Sequence, residues 1–128
     1  MLSFQNKKVL VVDDSETMRM FIFFQLIKLL PGVQLMDAEN GLDAIDKLKQ
    51  QDVDLILTDM NMPELDGAAV IRTVRQVFKK DTPIIIITTK GENLDRERGL
   101  ALGANGYITK PLDIVEFREK IRQYLSEQ

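Results

Sequence analysis

The chain has 128 residues, 45% of them hydrophobic and 29% charged, the balance of a soluble globular protein long enough to bury its own core. Seventeen Lys and Arg against twenty Asp and Glu leave a net charge of −3, which argues against nonspecific nucleic-acid binding, because that needs a basic surface. Cysteine and histidine are both absent, which excludes disulfides, thiol nucleophiles, Cys or His metal centres and Ser-His-Asp triads.

Met1 to Lys8 lacks the apolar core of a signal peptide, and no apolar run approaches the ~18 residues of a membrane span. The expectation is a cytoplasmic chain of one domain, residues 1–128 with a core over about 7–125. Its chemistry must rest on carboxylates, hydroxyls and lysines.

Val9-Leu10-Val11-Val12 is a continuous, β-branched run, the pattern of a strand buried on both faces. A helical stretch follows from Ser15 to Leu30 and stops at Pro31-Gly32. Val33-Gln34-Leu35-Met36 alternates, as suits a strand nearer an edge. Leu42 to Gln50 predicts a helix with Ala44, Ile45 and Leu48 on one face. Leu55-Ile56-Leu57 reads as a third strand, and Ala68 to Phe78 as a helix opened by Asp66-Gly67. Ile84-Ile85-Ile86-Ile87 predicts a fourth strand, and Asn93 to Leu102 a helix ending on Gly103 as a left-handed cap. Tyr107-Ile108-Thr109 is a short fifth strand, and Asp113 to Leu125 a helix whose Asp113 and Glu116 have capping-box spacing.

Five β-then-α units imply right-handed crossovers and an α/β fold, a doubly wound five-stranded parallel sheet with helices on both faces. Open sheets of this kind bind ligands outside the carboxyl ends of their strands. The first strand runs into Asp13-Asp14, the third into Asp59, the fourth into Thr88-Thr89 and the fifth into Lys110-Pro111. Packed carboxylates repel one another unless a cation intervenes. An all-oxygen donor set favours Mg²⁺, Mn²⁺ or Ca²⁺, and a site with few carboxylates and room for a phosphoryl group suits Mg²⁺ best. A carboxylate beside a metal and a lysine is also a competent nucleophile toward phosphorus. Taken singly, each residue reads at least as well as a helix cap, a turn or a solvated charge. Four of them on the four correct strand ends are hard to assign to chance.

These residues resemble the response-regulator receiver domain of two-component signalling. The resemblance runs from about Lys7 to Leu125. It is carried by Val11-Val12-Asp13-Asp14-Ser15, Leu57-Thr58-Asp59-Met60-Asn61-Met62-Pro63 with Asp66-Gly67, Ile87-Thr88-Thr89-Lys90, and Gly103-Ala104-Asn105-Gly106-Tyr107-Ile108-Thr109-Lys110-Pro111. It implies a flavodoxin-like (βα)5 fold with strand order 2-1-3-4-5, the order that a chemotaxis regulator of this family exemplifies. It further implies that Asp59 accepts a phosphoryl group from a phosphohistidine on a histidine kinase or phosphotransfer protein, which also accounts for the missing histidine. By the same resemblance, Asp13, Asp14, Asp59 and the backbone carbonyl of Asn61 hold Mg²⁺, with Mn²⁺ as a substitute. Lys110 pairs with the phosphoryl oxygens, Thr88 turns its hydroxyl toward them, and Tyr107 moves from an exposed to a buried rotamer. The Lys110-Pro111 bond is expected to be cis. Asn61 and Lys90 stand where the family tunes hydrolysis, and the bulk of Thr89 predicts slow loss of phosphate.

The chain stops soon after the fifth helix, so output is expected through contacts with another protein. Asp13 to Arg19 (Asp-Asp-Ser-x-Thr-Met-Arg) looks like the stand-alone chemotaxis regulators. Asp95-Arg96-Glu97-Arg98 is more charged than the motor-binding face of such regulators, which argues against binding to a flagellar switch. At 100° per residue, Met18, Ile22, Leu26 and Leu29 share one face of the first helix, with Met20, Phe23, Phe24, Ile27 and Leu30 roughly opposite. A helix apolar all round predicts a partner or a dimer on its outer side, unless Phe23 and Phe24 fold back on the fifth helix. The competing readings are an Asp-nucleophile phosphatase built on Asp59-Met60-Asn61, a receiver-shaped module that is never phosphorylated, and a receiver piece of a longer regulator. A dinucleotide site fails for want of a G-x-G-x-x-G after the first strand.

Overall fold

The computed structural model describes residues 4–125, so Met1 to Ser3 and the last three residues of the chain lie outside the described part. The elements run β1 (Lys8–Val12), α1 (Glu16–Leu29), β2 (Gln34–Ala38), α2 (Gly41–Gln50), β3 (Leu55–Asp59) and α3 (Gly67–Arg72). A π-helical turn (Thr73–Val77) extends α3, and β4 (Ile84–Thr89), α4 (Asn93–Leu102), β5 (Gly106–Lys110) and α5 (Ile114–Tyr124) complete the chain. The strands form one sheet in the order β2-β1-β3-β4-β5, every neighbouring pair parallel. This is the flavodoxin-like 2-1-3-4-5 sheet expected from the sequence.

Successive strand residues point to opposite faces, so the continuous apolar runs supply two cores. On one face Val9, Val11, Leu55, Leu57, Ile85, Ile87 and Ile108 pack against Ile22 and Leu26 of α1 and Phe117 and Ile121 of α5. On the other, Leu10, Val12, Ile56, Ile84 and Ile86 meet Ala44 of α2, Val70 and Ile71 of α3 and Val74. The alternating β2 lies at the sheet edge and is only partly covered, as its sequence required.

Four helices carry a side-chain N-cap. Ser15 accepts from the Met18 amide, Asn40 from Asp43, Asp66 from Ala69, and Asp113 from Val115 and Glu116. Gly103 closes α4 at φ 120°, where a side chain would be strained. The Lys110-Pro111 bond is cis.

Two expectations need correction. The helix read continuously from Ala68 to Phe78 widens at Thr73, where the Phe78 amide bonds the Thr73 carbonyl five residues back at 2.9 Å. Arg75 ties the widened turn to the loop before β5 by donating to Gly103 O and Asn105 Oδ1 at 3.0 and 2.9 Å.

The outer face of α1 is also smaller than predicted. Leu30 is the C-cap, so its backbone leaves the helical progression and its side chain is buried. Phe23 is half-buried and packs on the α1/α5 core. Phe24, by contrast, does not fold back: it is 57% exposed, beside Met20, Phe21 and Ile27, and the Lys28 ammonium lies 4.4 Å from its ring centroid.

Candidate functional site

Because the strands are parallel, β1, β3, β4 and β5 end at one edge of the sheet. Register aligns Val12 with Thr58, Asp59 with Ile87, and Thr89 with Lys110. That places Asp13 just beyond β1, Asp59 at the end of β3 and Lys110 at the end of β5 around one small volume. Carboxylate oxygens of Asp13, Asp14 and Asp59 lie within 4.8 Å of one another. Asp13 is fully buried, Asp59 nearly so, and Asp14 is exposed.

Lys110 Nζ lies 3.3 Å from Asp13 Oδ2 and 3.3 Å from Asp59 Oδ2. Each aspartate is also held through its other oxygen: Asp13 Oδ1 accepts from the Ser15 amide at 2.8 Å, and Asp59 Oδ1 from the Asn61 amide at 3.2 Å. Burial pushes the Asp59 carboxyl above its ordinary value, and the Lys110 charge and the Asn61 amide only partly oppose it. Burial pulls the Lys110 ammonium down, but Asp59 and Asp13 outweigh it and the net shift is upward. Three carboxylates against one ammonium leave this pocket short of neutral by two positive charges. The donors are all oxygen, so the set fits a hard divalent cation.

Thr88 is buried at the end of β4, on the same edge. Tyr107 is half-buried, with the Arg96 guanidinium 4.8 Å and the Lys120 ammonium 5.7 Å from its ring centroid. The residues singled out from the sequence at the strand ends are thus gathered at one edge.

Two connections were not foreseen. The side-chain amide of Asn61 donates to Glu92 Oε2 at 2.9 Å and Asp95 Oδ2 at 2.7 Å, linking the loop after β3 to the start of α4. The hydrogen bond with Asp95, helped by slight desolvation and the negative charges of Asp95 and Asp59, raises the Glu92 carboxyl. Acidic residues three apart at a helix start are the only sequence trace of this contact. The second is Arg19, which donates from Nη1 to the Asp13 carbonyl at 2.6 Å and from Nε to Asp37 Oδ2 at 3.0 Å. It was visible in the Asp13–Arg19 segment, but nothing in the sequence says that its side chain turns back to the strand end.

An open parallel sheet with clustered carboxylates and a lysine beyond its strand ends defines a signalling module of the receiver class. The family model of the response regulator receiver domain matches residues 9–122, and the chain belongs to that family. It is 41% identical over 120 residues to the chemotaxis protein CheY homolog of Campylobacter jejuni subsp. jejuni, covering 92% of each chain. It is 37% identical to the alkaline phosphatase synthesis transcriptional regulatory protein PhoP of Bacillus subtilis, where 94% of this chain matches only 49% of that protein. The solved chemotaxis response regulator CheY4 of Vibrio cholerae superposes with a TM-score of 0.82 at 32% identity, covering 93% of this chain and 98% of that one.

The chain is therefore a CheY-like response regulator receiver domain. Receiver domains are signalling switches, which disfavours the phosphatase reading. Among the described residues no helix is long and apolar enough to cross a membrane.

Proposed function

We propose that Asp59 is the phosphoacceptor and that phosphorylation switches the contacts this chain makes with other proteins. The observation that carries the reading is the Lys110 ammonium set equally between Asp13 and Asp59, in a pocket still two positive charges short of neutral. Phosphoryl transfer asks mainly for positioning and charge neutralisation; this edge supplies the positioning and one positive charge, and its oxygen set suits a divalent cation for the rest.

Asp59 Oδ2 is the oxygen facing Lys110, while Oδ1 is held by the Asn61 amide. Attack on a phosphohistidine forms an Asp59 oxygen–phosphorus bond and breaks the nitrogen–phosphorus bond, and the leaving imidazole retains or takes up a proton. Asp13, Asp14, Asp59 and the backbone carbonyl of Asn61 would hold Mg²⁺, or Mn²⁺ in its place. When bound, the ion would supply two positive charges, allowing anionic phosphoryl oxygens to approach three carboxylates. Lys110 leaves its carboxylate partners for the phosphoryl oxygens, and Thr88 donates its hydroxyl to them.

The inward shift of Thr88 gives Tyr107 room to follow, and Tyr107 then leaves Arg96 and Lys120. A population shift of this kind remodels the surface of α4, β5 and α5. The donor is a histidine kinase or phosphotransfer protein, and the output partner is a protein met in the cytoplasm. The apolar outer face of α1, namely Met20, Phe21, Phe24 and Ile27 with Phe23 at its margin, is a contact surface for a partner or a second copy. The high identity to a CheY homolog supports a chemotaxis-like, stand-alone regulator of one domain.

Intact mass after incubation with acetyl phosphate, with and without Mg²⁺ and beside Asp59→Asn, tests the reading. One added phosphoryl group that requires both Mg²⁺ and Asp59 is the expected result. No addition under any of these conditions, nor with a set of phosphorylated histidine donors, overturns it.

A further inference from the structure

Asp13 is held at every polar group it owns. Its amide donates to the Ala38 carbonyl at 3.1 Å, Oδ1 accepts from the Ser15 amide at 2.8 Å, and Oδ2 accepts from Lys110 at 3.3 Å. The fourth bond, Arg19 Nη1 to the Asp13 carbonyl at 2.6 Å, is the shortest of the set. Arg19 belongs to α1 rather than to a strand end, and its side chain is only 11% exposed. It is anchored in turn by Asp37 of β2 through Nε, and the Asp37 carbonyl accepts from Lys47 of α2. A single guanidinium thus connects the helix after the site, the neighbouring strand and the peptide between Asp13 and Asp14.

We propose that Arg19 is a positioning residue for divalent-cation binding. It clamps the Asp13–Asp14 peptide and so fixes the directions in which both carboxylates leave the backbone. The proposal rests on the reading that this acidic pocket takes Mg²⁺.

The geometry favours a positioning role over a purely electrostatic one. A cation beside an acidic pocket opposes a second cation by simple repulsion, so charge alone would make Arg19 a hindrance. The direction of its bonds matters instead: one acceptor is a backbone carbonyl, the other a carboxylate on a different strand. A planar fork meets both at once, whereas a lysine ammonium is a point charge on a flexible stem. Groups that orient metal ligands from behind contribute roughly 10–100-fold to metal affinity. Arg19 acts one step further back, through the peptide, and an effect of roughly three- to tenfold is expected.

The test is calorimetric titration of Mg²⁺ into the 128-residue chain, wild type beside Arg19→Lys, Arg19→Met and Asp37→Asn. Thermal melts without Mg²⁺ and the Mg²⁺ dependence of phosphorylation by acetyl phosphate accompany it. Arg19→Lys and Arg19→Met are both expected to weaken Mg²⁺ by roughly three- to tenfold, and Asp37→Asn by less. The phosphorylation rate should return to within about twofold of wild type at saturating Mg²⁺, the split expected of a group that orients ligands without touching the phosphoryl group. An unchanged Mg²⁺ affinity in Arg19→Lys, with or without a lower melting temperature, overturns the proposal. Tighter binding in Arg19→Met with no change in Arg19→Lys also overturns it, because Arg19 would then act only as a charge. Should the Arg19 variants fail to fold, Asp37→Asn decides, since it loosens the same clamp from a partly exposed position, and wild-type affinity there counts against the proposal. Wild-type protein that binds no Mg²⁺ refutes the underlying reading as well, a result distinct from equal affinities across the series.

Discussion

Lys110 Nζ stands 3.3 Å from Oδ2 of both Asp13 and Asp59, the only ammonium paired with either carboxylate among the described residues. Two buried carboxylates that share one cation repel each other as soon as it is removed. Lys110→Met should therefore slow phosphorylation by acetyl phosphate by roughly 10²-fold, the scale on which a positioned charge stabilises a transition state. The same change removes a competitor for the carboxylate oxygens, so Mg²⁺ should bind Lys110→Met at least as tightly as wild type. Mass spectrometry over time and calorimetry read the two effects separately. Loss of both together would show that Lys110 builds the pocket rather than serving the transfer.

The raised Asp59 carboxyl makes a stability prediction with a definite sign. Burial raises its folded-state value above the ordinary carboxylate value of 3.8, so the folded state holds this proton more tightly than the unfolded state does. Stability from this group is thus greatest below the ordinary value and falls as pH rises through the raised one. Asp59→Asn should melt higher than wild type at neutral pH without Mg²⁺. The gain should vanish on acidification below the ordinary carboxylate value. Melts across pH 3–8 decide it, and an Asp59→Asn variant less stable than wild type at pH 7 contradicts the assigned balance of burial against Lys110.

Addition of Mg²⁺ should raise the melting temperature of the wild type by linkage, with about 2.7 kcal/mol of stabilisation at a hundred times the dissociation constant. Asp13→Asn should lose most of this response, since Asp13 is the fully buried member of the oxygen set. Differential scanning calorimetry with and without EDTA is the measurement. An equal response in Asp13→Asn would move the ion elsewhere.

The strands and the strand-end residues were legible in the sequence because both follow from local patterns, whereas the order 2-1-3-4-5 followed only from the resemblance to receiver domains. A short apolar run bounded by polar and turn residues reads as a doubly covered strand, and parallel pairing carries the residues at the end of each such run to the same edge. Asp13, Asp59, Thr88 and Lys110 came together on that logic alone. What could not be read depended on where long side chains travel. Arg19 reaches back along α1 to the Asp13 carbonyl, and Asn61 reaches across to Glu92 and Asp95. Neither direction is encoded in spacing. The π-helical turn at Thr73 and the inward placement of Leu30 likewise depend on backbone geometry that a fixed 100° per residue does not contain.

The outer face of α1 separates surface from core in a way that stability measurements can check. Ile22 and Leu26 are fully buried, whereas Phe24 and Ile27 are 57% and 59% exposed. Ile22→Ala should cost about 2–5 kcal/mol, while Phe24→Ser and Ile27→Ser should stay within about 1 kcal/mol of wild type. If the face is a contact surface, the same two serine variants should abolish concentration-dependent association in sedimentation or weaken capture by the cognate kinase. A large loss of stability in Phe24→Ser would mean that its ring packs within the fold.

Gly67 gives the sharpest structural prediction because its constraint is steric and lies against the phosphoacceptor strand. A Cβ at this position would sit 2.3 Å from the Asp59 carbonyl oxygen and 2.8 Å from Met60 Cα. Both neighbours are backbone, so no rotamer change relieves the overlap, and the Gly67 amide also donates to the Met60 carbonyl at 3.1 Å. Gly67→Ala must therefore push α3 away from the end of β3 or twist the peptide after Asp59. Overpacking of this kind costs typically 1–3 kcal/mol, occasionally more. The next peptide along carries the Asn61 amide that holds Asp59 Oδ1, so the damage should extend beyond stability to the site. The expected result is a lower melting temperature together with slower phosphorylation at saturating Mg²⁺. Gly91→Ala is the matched control: its φ of 94° strains any side chain, but a Cβ there meets nothing within 4 Å. Gly91→Ala should lose stability through backbone strain alone and leave the bond to Asp59 intact. Equal phosphorylation defects in the two variants would show that the close approach at Gly67 does not position Asp59.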